Sequence, residues 1–409
     1  MNVHKVNAER LWSSLMEVGT FGETPGGGCR RLALTNEDRQ ARDRCCDWAK
    51  AAGWGITVDR IGNVFVRRDG EDRTAAPVMM GSHLDTVPTG GKFDGILGVV
   101  SAIEVLRRLD ELSIKTRAPV EAVVWTNEEG SRFSPMTLGS SVFAGDCTLG
   151  TALARTDSDG ISVGEALARI GYAGEAPAGG RNVSAYLELH IEQGPLMKES
   201  GEQIGIVTGS FNARYFVATI TGEPAHVGAA PMDVRRDALV GASALVLEID
   251  RIGRSRGRDG RSNAPYLTLY PNVRGVIPGE VRLSCDVRHA DHAQMLTMEQ
   301  ELRAACDRVA AERDVEISLE QYFAFGPVAF NADLMAMVRE TAKALKMSHR
   351  DILTIAGHDA VSMSTICPTA MIFVPSETGI SHNEAEYSTP RQCADGADVL
   401  LNMVSRLAG

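Results

Sequence analysis

The sequence has no CxxC pair; its eight cysteines, at positions 29, 45, 46, 147, 285, 306, 367 and 393, are scattered along the chain. This excludes a dithiol redox motif and a small disulfide-stapled fold, and it fits free thiols in a reducing compartment. No apolar stretch approaches the roughly 20 residues of a membrane helix. A basic, apolar and small-residue secretion pattern is missing at the N-terminus, so a cytoplasmic protein without a membrane partner is expected. Positive charge is also in deficit: 42 Lys and Arg oppose 53 Asp and Glu, for a net charge of -11. A nucleic-acid partner is excluded on that ground, because neutralising phosphates requires the opposite balance. The basic run 251–261 has no interleaved aromatics and reads as a solvated loop or helix end. The glycine-rich stretch 81–98 contains neither a phosphate-loop motif nor a dinucleotide fingerprint, so no nucleotide coenzyme is expected. A serine triad is set aside because no G-x-S-x-G elbow is read.

What is present is organised around residues 78–100, VMMGSHLDTVPTGGKFDGILGVV. The run 78–80 predicts a buried strand that ends in a cluster containing His83, Asp85 and Asp94, and 99–109 has helical apolar spacing. A second apolar run, 119–127, ends in Glu128-Glu129-Gly130, and a third, 185–191, delivers His190. Three apolar strands ending in histidine or acid fit a parallel sheet whose carboxyl ends form a site.

With 409 residues, 44% of them hydrophobic, the chain is long enough for two cores. The spacing predicts helices over 7–18 and over 35–53, the latter capped by Asn36, and strands near 56–59 and 63–67. The alternation over 204–221 predicts an antiparallel strand pair. A helix over 232–252, strands at 266–270 and 281–287, a helix over 294–312 and a strand at 315–322 then fit a small α+β layer inserted near 210–325. α/β character returns after 328, with helices over 333–346 and 395–407 and a strand at 370–374.

Histidines and carboxylates at strand ends are the ligands that hold divalent ions, and His83, Asp94, Glu129, His190 and His382 supply such a set. Glu128, beside Glu129, is placed to take a proton from an activated water. Asp85 is placed to accept the ring N–H of a ligating histidine and fix its tautomer; the alternative is a loop hydrogen bond to nearby backbone.

The strings GSHLDTVPTGGKFDGILGV, NEEGSRF, HIEQGP, GEPAHVGAAPMDVRRDA, VIPGEVRLSCDVR, AGHDA and SHNEAE together resemble the amidase/hydantoinase/carbamoylase branch of the metal-dependent aminoacylase and carboxypeptidase G class. This branch includes N-carbamoyl-L-amino-acid hydrolases and allantoate amidohydrolases. The resemblance spans nearly the whole chain. It implies an α/β fold, with a mixed-sheet metallohydrolase catalytic domain from 1–209 and 326–409 and an α+β dimerisation and lid domain from 210–325. It further implies two divalent ions per subunit, zinc or manganese with cobalt or nickel as alternatives. One ion is assigned to His83, Asp94 and His190 and the other to Asp94, Glu129 and His382, with Asp94 bridging. Glu128 matches the general base, Asp85 the support of a metal histidine, and His226 an oxyanion-stabilising residue commonly supplied by the partner of a homodimer. Arg288 matches a substrate-carboxylate clamp, while Gln193, Gly357 and His358 match substrate contacts.

One position departs from the family pattern. An asparagine normally precedes the V-I-P-G segment, and Gly275 stands there instead, with no side-chain amide to offer. Either Asn272 or Arg274 takes over the contact, or the substrate differs from the usual ureido acid. The expected reaction is hydrolysis of an N-carbamoyl-L-amino acid. An N-acyl amino acid or other small-amide hydrolase, or an allantoate amidohydrolase, is the alternative within the enzyme class. A metal-binding protein with an inert enzyme fold is the alternative outside it; absent ligands or an absent Glu128 would have favoured that reading.

Overall fold

A computed structural model describes residues 3–409. Its strands are β1 (Gly55–Val58), β2 (Val64–Arg68), β3 (Val78–His83), β4 (Val120–Trp125), β5 (Ala185–Ile191), β6 (Ile204–Ser210), β7 (Asn212–Thr221), β8 (Gly260–Tyr270), β9 (Glu280–His289), β10 (Glu316–Phe325), β11 (Val328–Ala329), β12 (His349–Thr354) and β13 (Thr369–Val374). They belong to a mixed α/β fold with two sheets. The chain divides into two compact units, one formed by the described residues through Gly209 together with Ala329–Gly409, the other by Ser210–Val328. No helix among the described residues is long and apolar enough to cross a membrane.

In the larger unit the sheet order is β1-β2-β4-β3-β5-β13-β6-β11, with β12 paired to β6. β3 pairs parallel to β4 and to β5, and β5 pairs parallel to β13. All four of these strands are buried along their whole length, which is why they read as continuous apolar runs rather than alternating ones. Because they run in one direction, the segments bearing His83, Glu128 and Glu129, His190 and, beyond β13, His382 all leave from the same end of the sheet.

The helix Ile96–Glu111 follows the β3 loop and buries Val99, Val100, Ile103 and Leu106, each adding roughly 1.5–3 kcal/mol relative to an exposed position. Its entry is fixed by Gly95 at φ 69°, where a Cβ would lie 2.3 Å from Cε1 of His83. Glycine is therefore required twice over, by the left-handed backbone and by the imidazole packed against it.

The smaller unit has a four-stranded antiparallel sheet, β10-β7-β9-β8. Phe216, Ile220, Leu283 and Val287 on the sheet share a core with Leu245 and Ile249 of the helix Ala238–Arg254 and Leu302 of the helix His292–Arg313.

Several sequence expectations require correction. The alternation over 204–221 is not one strand pair: β6 joins β13 in the large sheet, while β7 lies between β10 and β9 in the small one. Alternation reports one buried face per strand and carries no information about the partner. The helix predicted from 232 begins at Ala238, because Asp237 caps it through Leu239 N and Val240 N, and Met232–Val234 forms a separate short 3-10 turn. Thr35, not Asn36, caps the helix Asn36–Ala52, its hydroxyl accepting from Asp38 N. The helix Val163–Ile170 and strand β12 were not anticipated.

Candidate metal centre

The two oxygens of the Asp94 carboxylate face two different sets of ligands. Oδ1 lies 3.2 Å from His190 Nε2 and 3.6 Å from His83 Nε2. Oδ2 lies 3.5 Å from His382 Nε2, which is itself 3.2 Å from Glu129 Oε2. His83, Asp94 and His190 thus form one group able to hold an ion, and Asp94, Glu129 and His382 another. Asp94, His83 and His190 are buried, Glu129 is half-buried and His382 is exposed.

The ring tautomers suit metal binding. His83 Nδ1 is 2.9 Å from the Asp85 main-chain oxygen and His190 Nδ1 is 2.9 Å from the Ile191 oxygen. Each Nδ1 therefore carries the proton, leaving Nε2 with its lone pair toward Asp94. Gly95 N donates to His190 Nε2 at 3.1 Å, in agreement with that assignment. Burial also lowers the His83 pKa, holding the ring in its neutral, ligating form.

The expected role of Asp85 changes. Its carboxylate does not meet the His83 ring; it accepts Glu128 N at 3.2 Å and Glu129 N at 3.1 Å. A buried carboxylate needs donors, and the end of β4 presents two main-chain N–H groups. Asp85 thereby orients the Glu128-Glu129 pair, while its carbonyl orients His83. Asn127, just before this pair, has φ 55°, and Gln193 and His382 have φ 61° and 54°. Left-handed backbone at non-glycine residues costs free energy and gathers where a site demands an exact side-chain direction.

Glu128 belongs to neither group, yet its Oε2 lies 3.4 Å from His83 Nε2. Burial, followed by the charges of Asp359, Glu129, Asp85 and Asp94, pushes its carboxyl well above the ordinary range. Its Oε1 is buried without a hydrogen-bond partner, as is Oε1 of Glu129. Unpartnered oxygens of buried acids beside histidine rings are a donor set that suits divalent cations.

The remaining expected residues are distributed as follows. Gln193 Nε2 donates to Asp94 Oδ2 at 2.8 Å. Gly357 and His358 are buried, and the His358 ring packs edge-on against His190 with centroids 4.5 Å apart. His226, Asn272, Arg274, Gly275 and Arg288 belong to the smaller unit. There His226 Nδ1 accepts from Gly228 N and Ala229 N, both at 3.1 Å, which leaves the ring proton on Nε2 as an outward donor. Arg288 Nε donates to Asp286 Oδ1 at 2.8 Å, and its guanidinium lies 5.2 Å from the Tyr215 ring centroid. Gly275 has φ 90°, and its carbonyl accepts Val227 N at 3.2 Å, next to the bridge between His226 and Val276.

Sequence reasoning missed Glu188 and Asp359, both buried. Glu188 groups with His190 and His358 in a third arrangement of ligand atoms. Its oxygens, however, already accept from Ser82 Oγ at 2.7 Å, Ala360 N at 2.8 Å and Tyr186 OH at 3.2 Å, so neutral donors satisfy it. The available signal was an acid in an otherwise apolar strand. One string with the spacing of a serine elbow also occurs, Gly160-Ile161-Ser162-Val163-Gly164, contrary to the expectation that the chain has none. Ser162 is the N-cap of its helix, locked with Glu165 in a capping box, and serves no nucleophile's role.

Ligand groups gathered at the carboxyl ends of parallel strands and joined by a shared carboxylate define a two-metal hydrolase. A family model described as Peptidase family M20/M25/M40 matches residues 79–406. A hydantoinase/carbamoylase family amidase from Burkholderia vietnamiensis has a crystal structure that superposes with a TM-score of 0.98 at 49% identity, covering 100% of this chain and 99% of that one. An N-carbamoyl-L-amino-acid amidohydrolase from Rhizobium meliloti is 41% identical over 404 residues, 99% of this chain and 97% of the relative. Another from Geobacillus stearothermophilus is 36% identical over 407 residues, 98% of this chain and 99% of that relative. The chain belongs to the hydantoinase/carbamoylase branch of the M20-like amidohydrolases, and it is a metal-dependent amidohydrolase with two metal-binding groups.

Proposed function

We propose that this chain hydrolyses the ureido C–N bond of an N-carbamoyl-L-amino acid or a closely related small carboxylate. The observation that carries the reading is the division of the two Asp94 oxygens between two ligand groups, with Glu128 beside them. His83, Asp94 and His190 would hold one divalent ion and Asp94, Glu129 and His382 the other. The mixed imidazole and carboxylate donors suit zinc or manganese, with cobalt or nickel also compatible. Bound there, the ions would supply Lewis-acid polarisation of the carbonyl and a more acidic water. Glu128 takes the proton from the attacking water and delivers it to the leaving nitrogen, its buried Oε1 having no hydrogen-bond partner in the protein. The Nε2–H of His226 donates to the developing oxyanion. Arg288, its fork held by Asp286, binds the substrate carboxylate. Gln193, Gly357 and His358 line the substrate, and Asn272 or Arg274 replaces the amide that Gly275 lacks. Release of the amino acid leaves carbamic acid, which splits into carbon dioxide and ammonia. Eight unpaired cysteines suit a reducing cytoplasm.

The test is a screen for ammonia and amine release from carbamoyl, formyl and acetyl amino acids, allantoate and ureidopropionate, run on wild type and Arg288→Ala. Carbamoyl amino acids are expected to release ammonia and amine in equal amounts. Arg288→Ala is expected to lose on the order of 10- to 100-fold in kcat/KM on carboxylates, and much less on the matching carboxamides. Faster acetyl hydrolysis with no ammonia from any carbamoyl compound would transfer the chain to the N-acyl class. Equal losses on acid and amide would remove the Arg288 role.

The smaller unit is read as a dimerisation and lid domain. In support, β8 ends its sheet, and Tyr266, Tyr270 and, on the neighbouring helix, Leu247 are 60%, 72% and 71% exposed. Sedimentation is expected to give twice the 43.9 kDa chain mass. Mixed dimers of His226→Ala and Glu128→Gln chains are expected to recover activity at one of two sites if His226 acts across the dimer. Verified mixed dimers without recovery would place it in its own subunit's reaction.

A further inference from the structure

Glu386 is a buried acid held by two main-chain N–H groups and a hydroxyl. Its Oε1 accepts Phe93 N at 3.1 Å and Asp94 N at 3.0 Å, and its Oε2 meets the Ser381 hydroxyl. Ser381 Oγ also stands 2.7 Å from Asp94 Oδ2. The Glu386 side chain therefore ties the main chain of the Asp94 loop to the turn that carries His382, two segments some 290 residues apart in sequence. Gly91 makes room for it: a Cβ built there would fall 2.2 Å from Glu386 Oε1 and 2.4 Å from its Cδ. Neither residue is within the two ligand groups.

We propose that Glu386 is a positioning residue that holds the shared carboxylate and His382 in register, and that the absence of a side chain at Gly91 is what lets it do so. The proposal deepens the two-ion reading above and rests on it. His83 and His190 sit on or at the ends of β3 and β5, rigid strands of the sheet centre, whereas His382 is exposed, has a left-handed backbone and lies in a turn. Loss of the Glu386 tether is therefore felt chiefly by the ion that needs His382.

The experiment is equilibrium dialysis with zinc or manganese alone, followed by metal analysis per folded chain, on wild type, Glu386→Ala, Glu386→Gln and Gly91→Ala. Glu386→Ala is expected to weaken one ion by roughly 10- to 100-fold, the usual scale for a lost ligand support, and to leave the other near its wild-type affinity. Glu386→Gln keeps an oxygen for the two N–H groups and is expected to restore most of that loss. Gly91→Ala retains Glu386 but displaces it, and is expected to resemble Glu386→Ala. Thermal melting of the metal-free proteins checks that each variant is folded; if Glu386→Ala is not, the other two variants decide. A two-ion wild type whose folded Glu386→Ala, or in its place Gly91→Ala, keeps both affinities overturns this proposal alone. A wild type that takes up fewer than two ions overturns the two-ion reading and this proposal with it.

Discussion

Glu128→Gln is expected to bind two ions as the wild type does and to turn over substrate roughly 10²- to 10⁴-fold more slowly, the range for removing a positioned acid-base group. The substitution conserves shape and removes only the capacity to carry a proton between water and leaving nitrogen. Glu128 contributes to neither ligand group, and its main chain is held by Asp85 through an N–H that glutamine also has. A drop in kcat with little change in KM would mark an interaction made in the transition state. Turnover equal to wild type would reject Glu128 as the proton carrier, and loss of metal would mean that it is a ligand instead.

Dialysis against a chelator is expected to abolish activity and to lower the melting temperature, with both returning when zinc or manganese is added back. The two ligand groups contain carboxylates and histidines but no Lys or Arg, and Asp94 and the neighbouring Glu128 are only 3% and 4% exposed. A bound cation removes the mutual repulsion of these carboxylates, and by mass action an ion at 100 times its dissociation constant adds about 2.7 kcal/mol to the stability of the native state. A fully active chain shown to contain no metal would exclude the mechanism.

Much of this centre is legible in the sequence because parallel strands announce themselves. β3, β4, β5 and β13 are buried throughout and mostly apolar, so the polar residues that follow each run leave at the same end of the sheet, and four of the five expected ligands follow or close such a run. Less local facts are hidden. That Asp94 divides its two oxygens between two groups depends on χ angles. The Asp85 carboxylate reaches the end of a neighbouring strand 43 residues on, and nothing in its spacing from His83 distinguishes that from a bond to the imidazole. Glu386 stands in plain view within SHNEAE, but an acid in a polar turn reads as solvated until the fold buries it under the Asp94 loop. Likewise, the period of two over 204–221 predicts strands correctly and cannot reveal that adjacent ones serve different sheets.

The position of the smaller unit within the chain also imposes an order in time. His83, Asp94 and His190 are all synthesised before residue 210, while His382 follows the whole of Ser210–Val328. A chain emerging from the ribosome therefore carries one complete ligand group long before the other can exist. The sheet itself closes in the same sequence, since β13 must enter between β5 and β6, both made more than 150 residues earlier. In chain order, then, the strand that fills the sheet between β5 and β6 and the histidine that completes the second ligand group both come last, within about the final 40 residues.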